Sequence, residues 1–390
     1  MTLGCPGNSL ALVRVYLDHN ATTPVHPAVA DEMADVLRRC FGNPSSTHAD
    51  GAEARARVER AREQVARLVG ASPDEVIFTS GATEANNTVL RGVLEAGLEP
   101  GRLVTTAVEH PSVEEPARVL EDAGCSVVRL GVDGEGRVDP EALALELASP
   151  ADLVSVIWAN NETGVIQPVE TLAATAAEHG VPVHLDATQA VGKVPVDVRR
   201  VAVDWLSASA HKFNGPKGVG FLVARPGREL PPHVRGGPQE RRRRGGTENV
   251  AGIVGLGLAC EIAERELADR QREHARLRDR LWAGLCEKVP AIRRNGSPEA
   301  VLPGTLNVEF DETPGEVLLE ALDLEGISVS AGAACHSGSI EPSHVLLAMG
   351  RTAEQARGSL RLSVGLGVDD AQIDRVLAVL PDLVERVRRA

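Results

Sequence analysis

Short apolar runs alternate with amphipathic helical segments between about residues 50 and 225. The segment at 52–69 repeats small and apolar residues at helical spacing from Val58 to Leu68, which predicts a helix packed on a core. The apolar runs are nearly continuous, as in strands covered on both faces. They are VIFT (76–79), LVTTAV (103–108), SVVRLGV (126–132), LVSVIWAN (153–160), VPVHLDA (181–187), WLSASA (205–210) and VGFLVA (219–224). Helices between strands indicate βαβ units, so we predict an α/β fold with a mostly parallel, seven-stranded sheet.

The pattern changes after a long, charged helical stretch at about 250–288, which looks like a connector. The following segments predict a small α+β domain: TLNVEF (305–310), a helix at 314–324, ISVS (327–330), LRLSVG (360–365) and a final helix from about 369. We therefore predict three parts. Residues 1–20 associate with the small domain, residues 21–262 form the large domain, and residues 263–390 form the small C-terminal domain that carries Cys335.

The charge balance and the cysteines restrict the possible functions. A formal charge of −14 argues against a general nucleic-acid or membrane-surface binder, because both need a positive field. No apolar stretch is long enough to cross a bilayer, and the N-terminus does not resemble a signal peptide. The six cysteines are scattered without a CxxC pair, which indicates a reducing, cytoplasmic setting without a disulfide framework or structural zinc.

Polar clusters follow five of the apolar runs. In a doubly wound sheet, the ligand site lies beyond the carboxyl ends of the strands, so these clusters face one crevice. Any single one of them could simply cap a helix, but five convergent clusters indicate a site. Its candidate residues are Thr83, His110, Asn161, Asp186, Gln189, His211 and Lys212.

The chemistry of these residues indicates a pyridoxal phosphate site. Lys212 follows a buried strand, where an unpaired ammonium is unfavourable but a desolvated amine suits Schiff-base chemistry. The turn SGATEANN (80–87) places small residues at a helix N-terminus, which favours a phosphate. With Asp186 as an acidic partner, these are the parts that the cofactor requires.

The motifs resemble those of the group I cysteine desulfurases, which are fold-type I enzymes of the class V aminotransferase superfamily. The resemblance covers about residues 15–380, with the motifs in the family's order. They are YLDHNATTP, FGNPSSTH, FTSGATEANN, EHPSV, NNETGVIQPV, HLDATQAVGK, AHKFNGPKGVG, GGPQE with GGTENV, SAGAACHSG with EPSHVLLAMG, and LRLSVG.

The resemblance implies roles around the cofactor ring. Lys212 would bind pyridoxal 5'-phosphate covalently and later carry the α-proton. Asp186 would pair with the pyridinium nitrogen, and Gln189 would hydrogen-bond the phenolic oxygen. His110 would stack on the ring and act as an acid or base.

Further residues would hold the phosphate and the substrate. Ala82, Thr83, Ser209 and His211 would hold the phosphate, and Asn161 would lie beside both cofactor and substrate. Thr247 resembles the residue that reaches the phosphate from the other subunit, which implies a homodimer. Arg361 resembles the arginine that binds the substrate carboxylate, a bidentate task suited to guanidinium.

The reaction that the resemblance implies depends on Cys335. It lies in a Gly-, Ala- and Ser-rich stretch with little apolar material to bury it, so we expect a mobile loop rather than a buried thiol. Its thiolate would attack the sulfur of L-cysteine, release L-alanine and hold the sulfur as a persulfide. The only metal role that we weigh is a transient iron–sulfur ligand at Cys335, shared with a scaffold protein.

Three departures and a basic run leave alternatives open. Ala210 stands where glycine is usual, and Gly245-Gly246 where Arg-Ser-Gly is more typical, although Arg244 precedes them. His336 follows Cys335. The resulting sequence AACHS is also similar to that of selenocysteine lyases, so selenocysteine is the alternative substrate. The run at 241–244 is either a solvated loop, a docking patch for an acidic sulfur acceptor, or a neighbour of the phosphate across the dimer.

Other classes of function are also compatible with parts of the chain. A plain aminotransferase would need Lys212 and Asp186 but no mobile cysteine, whereas a non-enzymatic sulfur scaffold would need Cys335 but not Lys212. The sequence does not name the sulfur acceptor. An iron–sulfur scaffold or a protein of tRNA or DNA thiolation would each fit.

Overall fold

A sheet of seven strands lies at the centre of the N-terminal two thirds of the structure. The structure is a computed structural model that describes residues 14–95, 100–228, 230–331 and 341–389, with the backbone of Cys335–His336 and Ser339–Ile340. After the short strand β1 (Val15–Tyr16), the seven strands are β2 (Val76–Thr79), β3 (Arg102–Thr106), β4 (Ser126–Leu130), β5 (Leu153–Ile157), β6 (Val183–Asp186), β7 (Trp205–Ser209) and β8 (Gly220–Ala224). Their order is β2-β8-β7-β6-β5-β3-β4. β8 alone runs in the direction opposite to the other six strands.

Helices cover both faces of this sheet. They are α1 (Pro27–Arg39), α2 (Ala49–Val69), α3 (Ala82–Leu94), α4 (Pro111–Asp122), α5 (Pro140–Glu146), α6 (Val169–Glu178) and α7 (Val250–Lys288). Successive strand residues face opposite sides. Val104 and Val154 thus join one apolar cluster with residues of α2 and α7, whereas Leu103 and Leu153 join another with residues of α3 and α4. Burial on both faces explains why the strands read as continuous apolar runs.

A second, antiparallel sheet forms from the C-terminal part of the chain. Its strands β9 (Ile292–Asn295), β10 (Thr305–Phe310), β12 (Ser330–Ala331) and β15 (Ser359–Ser363) lie in the order β12-β15-β10-β9. The other elements here are α8 (Gly315–Leu324), β11 (Ile327–Ser328), β13 (Cys335–His336), β14 (Ser339–Ile340), α9 (His344–Ala348), α10 (Ala353–Arg357) and α11 (Asp370–Arg388). β1 pairs with β11 in parallel, and β13 pairs with β14.

The predicted α/β class with a mostly parallel sheet is confirmed. The segment 327–330 differs from its prediction as one strand, because β11 and β12 belong to different sheets. The predicted domain division stays a prediction, since α7 is continuous across residues 262–263 and contributes to both the large and the small apolar cluster. Among the described residues, no helix is long and apolar enough to cross a bilayer.

Candidate active site

A cavity of about 500 Å³ opens at the carboxyl ends of the parallel strands. The position follows from the topology, because these strand ends meet along one edge of the sheet. Most of the predicted site residues line this cavity: Ala82, Thr83, His110, Asn161, Asp186, Gln189, Ser209, His211 and Lys212. The structure therefore brings together residues that lie up to 130 positions apart in the chain.

Lys212 ends a short 3₁₀ turn that follows β7. Its Nζ donates to two backbone carbonyl oxygens, at 2.8 Å from Asn20 O and 2.9 Å from Ala21 O. Burial, with a further contribution from the Arg361 charge, lowers the pKa of Lys212 to about 8. An amine with this pKa is partly uncharged near neutral pH, which is the form that attacks a carbonyl carbon.

Asp186 is the last residue of β6 and is buried. Its Oδ2 accepts a hydrogen bond from Asn86 Nδ2 at 2.8 Å, and its Oδ1 accepts one from the Thr188 amide at 3.0 Å. Both donors are neutral, so they stabilise the carboxylate without neutralising it. A buried carboxylate in this state can pair with a cationic ring nitrogen in the cavity.

His110 is the N-cap residue of α4, and this fixes the orientation of its ring. Its Nδ1 accepts the amide hydrogen of Ser112 at 3.0 Å, so a neutral ring carries its proton on Nε2. Burial lowers the pKa of His110. A neutral, oriented imidazole in the cavity can stack on a ring and exchange a proton.

The N-terminus of α3 lines the cavity and can hold an anion. Its N-cap residue is Gly81, which has no side chain to accept the first amides of the helix, and the helix dipole favours negative charge there. A Cβ on Gly220 would lie only 2.7 Å from Gly81 Cα, so glycine is required for this close approach of β8. Ser209 and His211 line the same region. Burial lowers the pKa of His211 to about 4.

Arg361 is not among the described residues that line the cavity, but it contacts the cavity residue Asn161. Its Nη2 donates to Asp18 Oδ1 at 2.6 Å, and its Nη1 donates to the Asn161 carbonyl oxygen at 3.1 Å. Its buried Nε has no hydrogen-bond partner in the described part of the chain. The guanidinium thus retains donors, but Asp18 already occupies one of its nitrogens.

The structure does not place Thr247 in the main cavity, and it does not describe the side chain of Cys335. Thr247 lines a separate cavity of about 200 Å³, which shares Ser80 and Gly218 with the main cavity. The Cys335 backbone belongs to β13, but its side chain lies outside the described residues, so its reach toward the cavity and its metal role stay predictions.

The arginines at 241–244 make several contacts within the chain. Arg241 pairs with Asp74 at 2.7 Å, and Arg244 pairs with Glu84 at 2.9 Å. Arg243 Nη2 donates to the Asp74 carbonyl oxygen at 2.8 Å. Arg241 and Arg244 are thus paired with carboxylates, whereas the carbonyl contact of Arg243 does not neutralise its charge, and the role of the run stays a prediction.

Several residues that shape the site were missed by the sequence reasoning. Asn86 bridges Asp186 and Ser112, and Asn20 contacts Lys212 from the N-terminal segment. The side-chain hydroxyl of Thr188 is buried without a partner among the described residues. A usable signal was present for Asn86, since it is a polar residue on the buried face of α3.

The fold and the partly buried Lys212 at the strand ends are features that an enzyme family can be recognised by. The chain belongs to the aminotransferase class-V family, whose model matches residues 15–376.

Individual relatives narrow the comparison. The chain is 46% identical to the cysteine desulfurase of Gluconacetobacter diazotrophicus over 96% of this chain and 94% of that protein. Among solved structures, a NifS-like protein matches with a TM-score of 0.90 at 38% identity, covering 96% of this chain and 100% of that one. The structure of SspA in complex with cysteine matches with a TM-score of 0.81 at 34% identity, covering 90% and 99% of the two chains.

Proposed function

We propose that this chain is a cysteine desulfurase, which converts L-cysteine to L-alanine and transfers the sulfur to Cys335 as a persulfide. The observation that carries the proposal is the partly buried Lys212 amine, held by carbonyl oxygens in one cavity with Asp186 and His110. The relatives named cysteine desulfurase support cysteine as the substrate in preference to selenocysteine.

Pyridoxal 5'-phosphate fits the residues of the cavity. The uncapped amides of α3 and the unpartnered Thr188 hydroxyl offer hydrogen bonds that no described residue accepts. The residues that would hold the cofactor are Lys212 (covalently), Asp186 (ring nitrogen), Gln189 (phenolic oxygen), His110 (ring face), Asn161 (beside the ring), and Ala82, Thr83, Ser209 and His211 (phosphate). When bound, the cofactor supplies an electron sink for negative charge at the substrate α-carbon.

The chain's own residues bind the substrate and move its protons. Arg361 and Asn161 orient the substrate carboxylate, and the Lys212 amine takes the proton from the α-carbon. The Cys335 thiolate attacks the substrate Sγ. An S–S bond forms as the Cβ–Sγ bond breaks, the electron pair of that bond passes to Cβ, and protonation of Cβ completes alanine. L-Cysteine and the Cys335 thiol thus give L-alanine and a persulfide without an external oxidant.

The proposal extends to the assembly and its setting. Thr247 would reach the phosphate of the partner subunit, so the active form would be a homodimer. The large domain (21–262) would hold the cofactor, and the small domain (263–390) would carry Cys335, together with the segment 1–20. In the cytoplasm, the persulfide would pass to an acceptor protein of iron–sulfur cluster assembly or another thiolation pathway.

Incubation with L-cysteine tests the proposal directly. We expect the Cys335 peptide to gain the mass of one sulfur atom and alanine to appear in equal amount in a single turnover. Cys335→Ser should lower alanine formation from cysteine on the order of 10³-fold, because it removes the nucleophile. The exposed Cys286 offers a matched control, and Cys286→Ser should leave both products unchanged.

Two outcomes would contradict the proposal. If Cys335→Ser formed alanine from cysteine at the parental rate while the parent preferred selenocysteine, the chain would be a selenocysteine lyase. If an amino donor instead converted the bound cofactor stoichiometrically to its amine form, the chain would be an aminotransferase.

A further inference from the structure

A second lysine lies beside Lys212, and the proposed chemistry does not use it. The Nζ of Lys193 donates to the side-chain oxygen of Asn20 at 3.1 Å and to that of Gln189. Burial lowers the pKa of Lys193 well below its ordinary value. Lys193 and Lys212 both line a small void of about 40 Å³ behind the cavity. A partly buried lysine without a carboxylate contact among the described residues requires an explanation, because desolvation of its amine is unfavourable.

Lys193 determines which way two amide groups face. Lys193 Nζ donates to the side-chain oxygens of both Asn20 and Gln189, so these two oxygens point toward it. The nitrogen of each amide then points away. Asn20 Nδ2 donates to Thr305 Oγ1 at 2.9 Å and to the Asn161 carbonyl oxygen at 3.1 Å, and Gln189 Nε2 donates to the Asn20 carbonyl oxygen at 2.9 Å.

The same network ends on Lys212. The backbone carbonyl oxygen of Asn20 accepts two hydrogen bonds, one from Lys212 Nζ at 2.8 Å and the one from Gln189 Nε2. Asn20 and Gln189 are each only 3% exposed, so a lost contact would leave a buried polar group without its partner. Gln189 also lines the cavity. A Gln189 amide turned around would therefore present its oxygen where it now presents its nitrogen.

We propose that Lys193 is a positioning residue that fixes the side-chain amides of Gln189 and Asn20. Gln189 then presents its N–H group to the cavity, and the backbone carbonyl oxygen of Asn20 holds Lys212. This inference rests on the proposed function, since it assigns Lys193 to the same site. It does not make Lys193 a catalytic residue, because Lys193 acts through Asn20 and Gln189.

Substitution of Lys193 tests the inference in the cofactor-loaded enzyme. Lys193→Met removes the donors at similar side-chain length, whereas Lys193→Gln keeps an amide donor. For Lys193→Met we expect a displaced visible absorption band of the bound cofactor, a kcat lower by about 10- to 100-fold and a KM within about threefold, because misplaced groups slow the reaction more than they weaken binding. Lys193→Gln should restore most of the band position and of kcat.

Two further variants sharpen this test. Lys288, the last residue of α7, donates to the Leu377 carbonyl oxygen. As a control, Lys288→Met should keep the parental spectrum and kcat. Gln189→Glu gives Lys193 a carboxylate to pair with but offers only acceptor oxygens to the cavity. It should fold and show the same displaced band as Lys193→Met, which keeps the inference testable if Lys193→Met does not fold.

The inference is overturned if Lys193→Met keeps the parental band and kcat, or if Gln189→Glu keeps the parental band. It is also overturned if Lys193→Gln loses as much kcat and thermal stability as Lys193→Met, since that pattern indicates a structural role alone. A parent chain that took up no cofactor, measured by its release in alkali, would instead overturn the proposed function together with this inference.

Discussion

Two cations in this molecule, the buried Arg62 and the partly buried Lys212, have opposite surroundings. Arg62 on α2 is 4% exposed, and it donates to both carboxylate oxygens of Glu240 at 2.7 and 2.9 Å. Its guanidinium also lies 4.6 Å from the centre of the Phe78 ring. Lys212 has no carboxylate contact among the described residues and rests on two backbone carbonyl oxygens.

The pKa values of the two side chains follow from this difference. Burial lowers the pKa of Arg62, but hydrogen bonding to Glu240 and the Glu240 charge outweigh burial, so the pKa is raised. Burial lowers the pKa of Lys212 to about 8, and Arg361 contributes in the same direction. Arg62, which stabilises the fold, is paired with a carboxylate and therefore keeps its proton. Lys212, which is used for chemistry, has only neutral acceptors and can therefore lose its proton.

The largest effect is expected from removal of the Lys212 amine. Lys212→Ala should lower the rate of alanine formation from cysteine by at least about 10³-fold, because the variant loses both the cofactor bond and the proton carrier. Steady-state assay of alanine measures this effect, with Lys288→Ala as the control. Retention of a tenth of the parental rate would show that Lys212 is not the residue that carries the chemistry.

The counterpart on the structural side is removal of Arg62. Arg62→Met would leave the Glu240 carboxylate buried without its cation, which should cost about 3–5 kcal/mol of unfolding free energy. Urea unfolding measures the loss. Arg67 on the same helix pairs with Glu264 at a half-exposed site, so Arg67→Met should cost less than about 1 kcal/mol. Equal losses for the two variants would remove the contrast between buried and exposed pairs.

Alanine formation by the Arg62→Met variant gives a second check. Arg62 does not line the cavity, so the rate per folded molecule should stay within about threefold of the parent, as expected for sites that do not interact. A much larger loss would mean that this ion pair shapes the active site as well as the fold.

The sequence predicted the large sheet well, because burial on both faces leaves a direct trace. VIFT corresponds to β2 over its full length, and SVVRLGV begins where β4 begins. β9 was missed because it is an edge strand whose residues IRRN are only partly buried. The antiparallel direction of β8 was also unpredicted, since a continuous apolar run does not encode strand direction.

The candidate site was predicted less completely than the fold. Strand-end motifs predicted the lining residues, because parallel strands end at one edge of the sheet. The pairing of Arg361 with Asp18 joins residues 343 positions apart, and no local pattern indicates such a contact. The contact of Asn20 with Lys212 has the same origin, since the N-terminal segment returns to the site only in the tertiary structure.

The closest comparison of the two cations is the pH dependence of stability in the cofactor-free protein. The pKa of Lys212 is about 8 when folded and 10.5 as the ordinary value, so between these values the unfolded chain holds a proton that the folded chain has lost. Stability therefore rises as the pH increases from 8 to 10.5, and the cost of the buried charge, at most roughly 3 kcal/mol, is present in full only below pH 8.

Lys212→Met should remove this cost, so its stability advantage over the parent should shrink by up to about 3 kcal/mol across that range. Urea unfolding at pH 7.5 and pH 10 measures the change. The Arg62→Met difference should stay constant over the same interval, because Arg62 remains charged throughout, and a parallel shift in both variants would mean that the rise in stability does not come from Lys212.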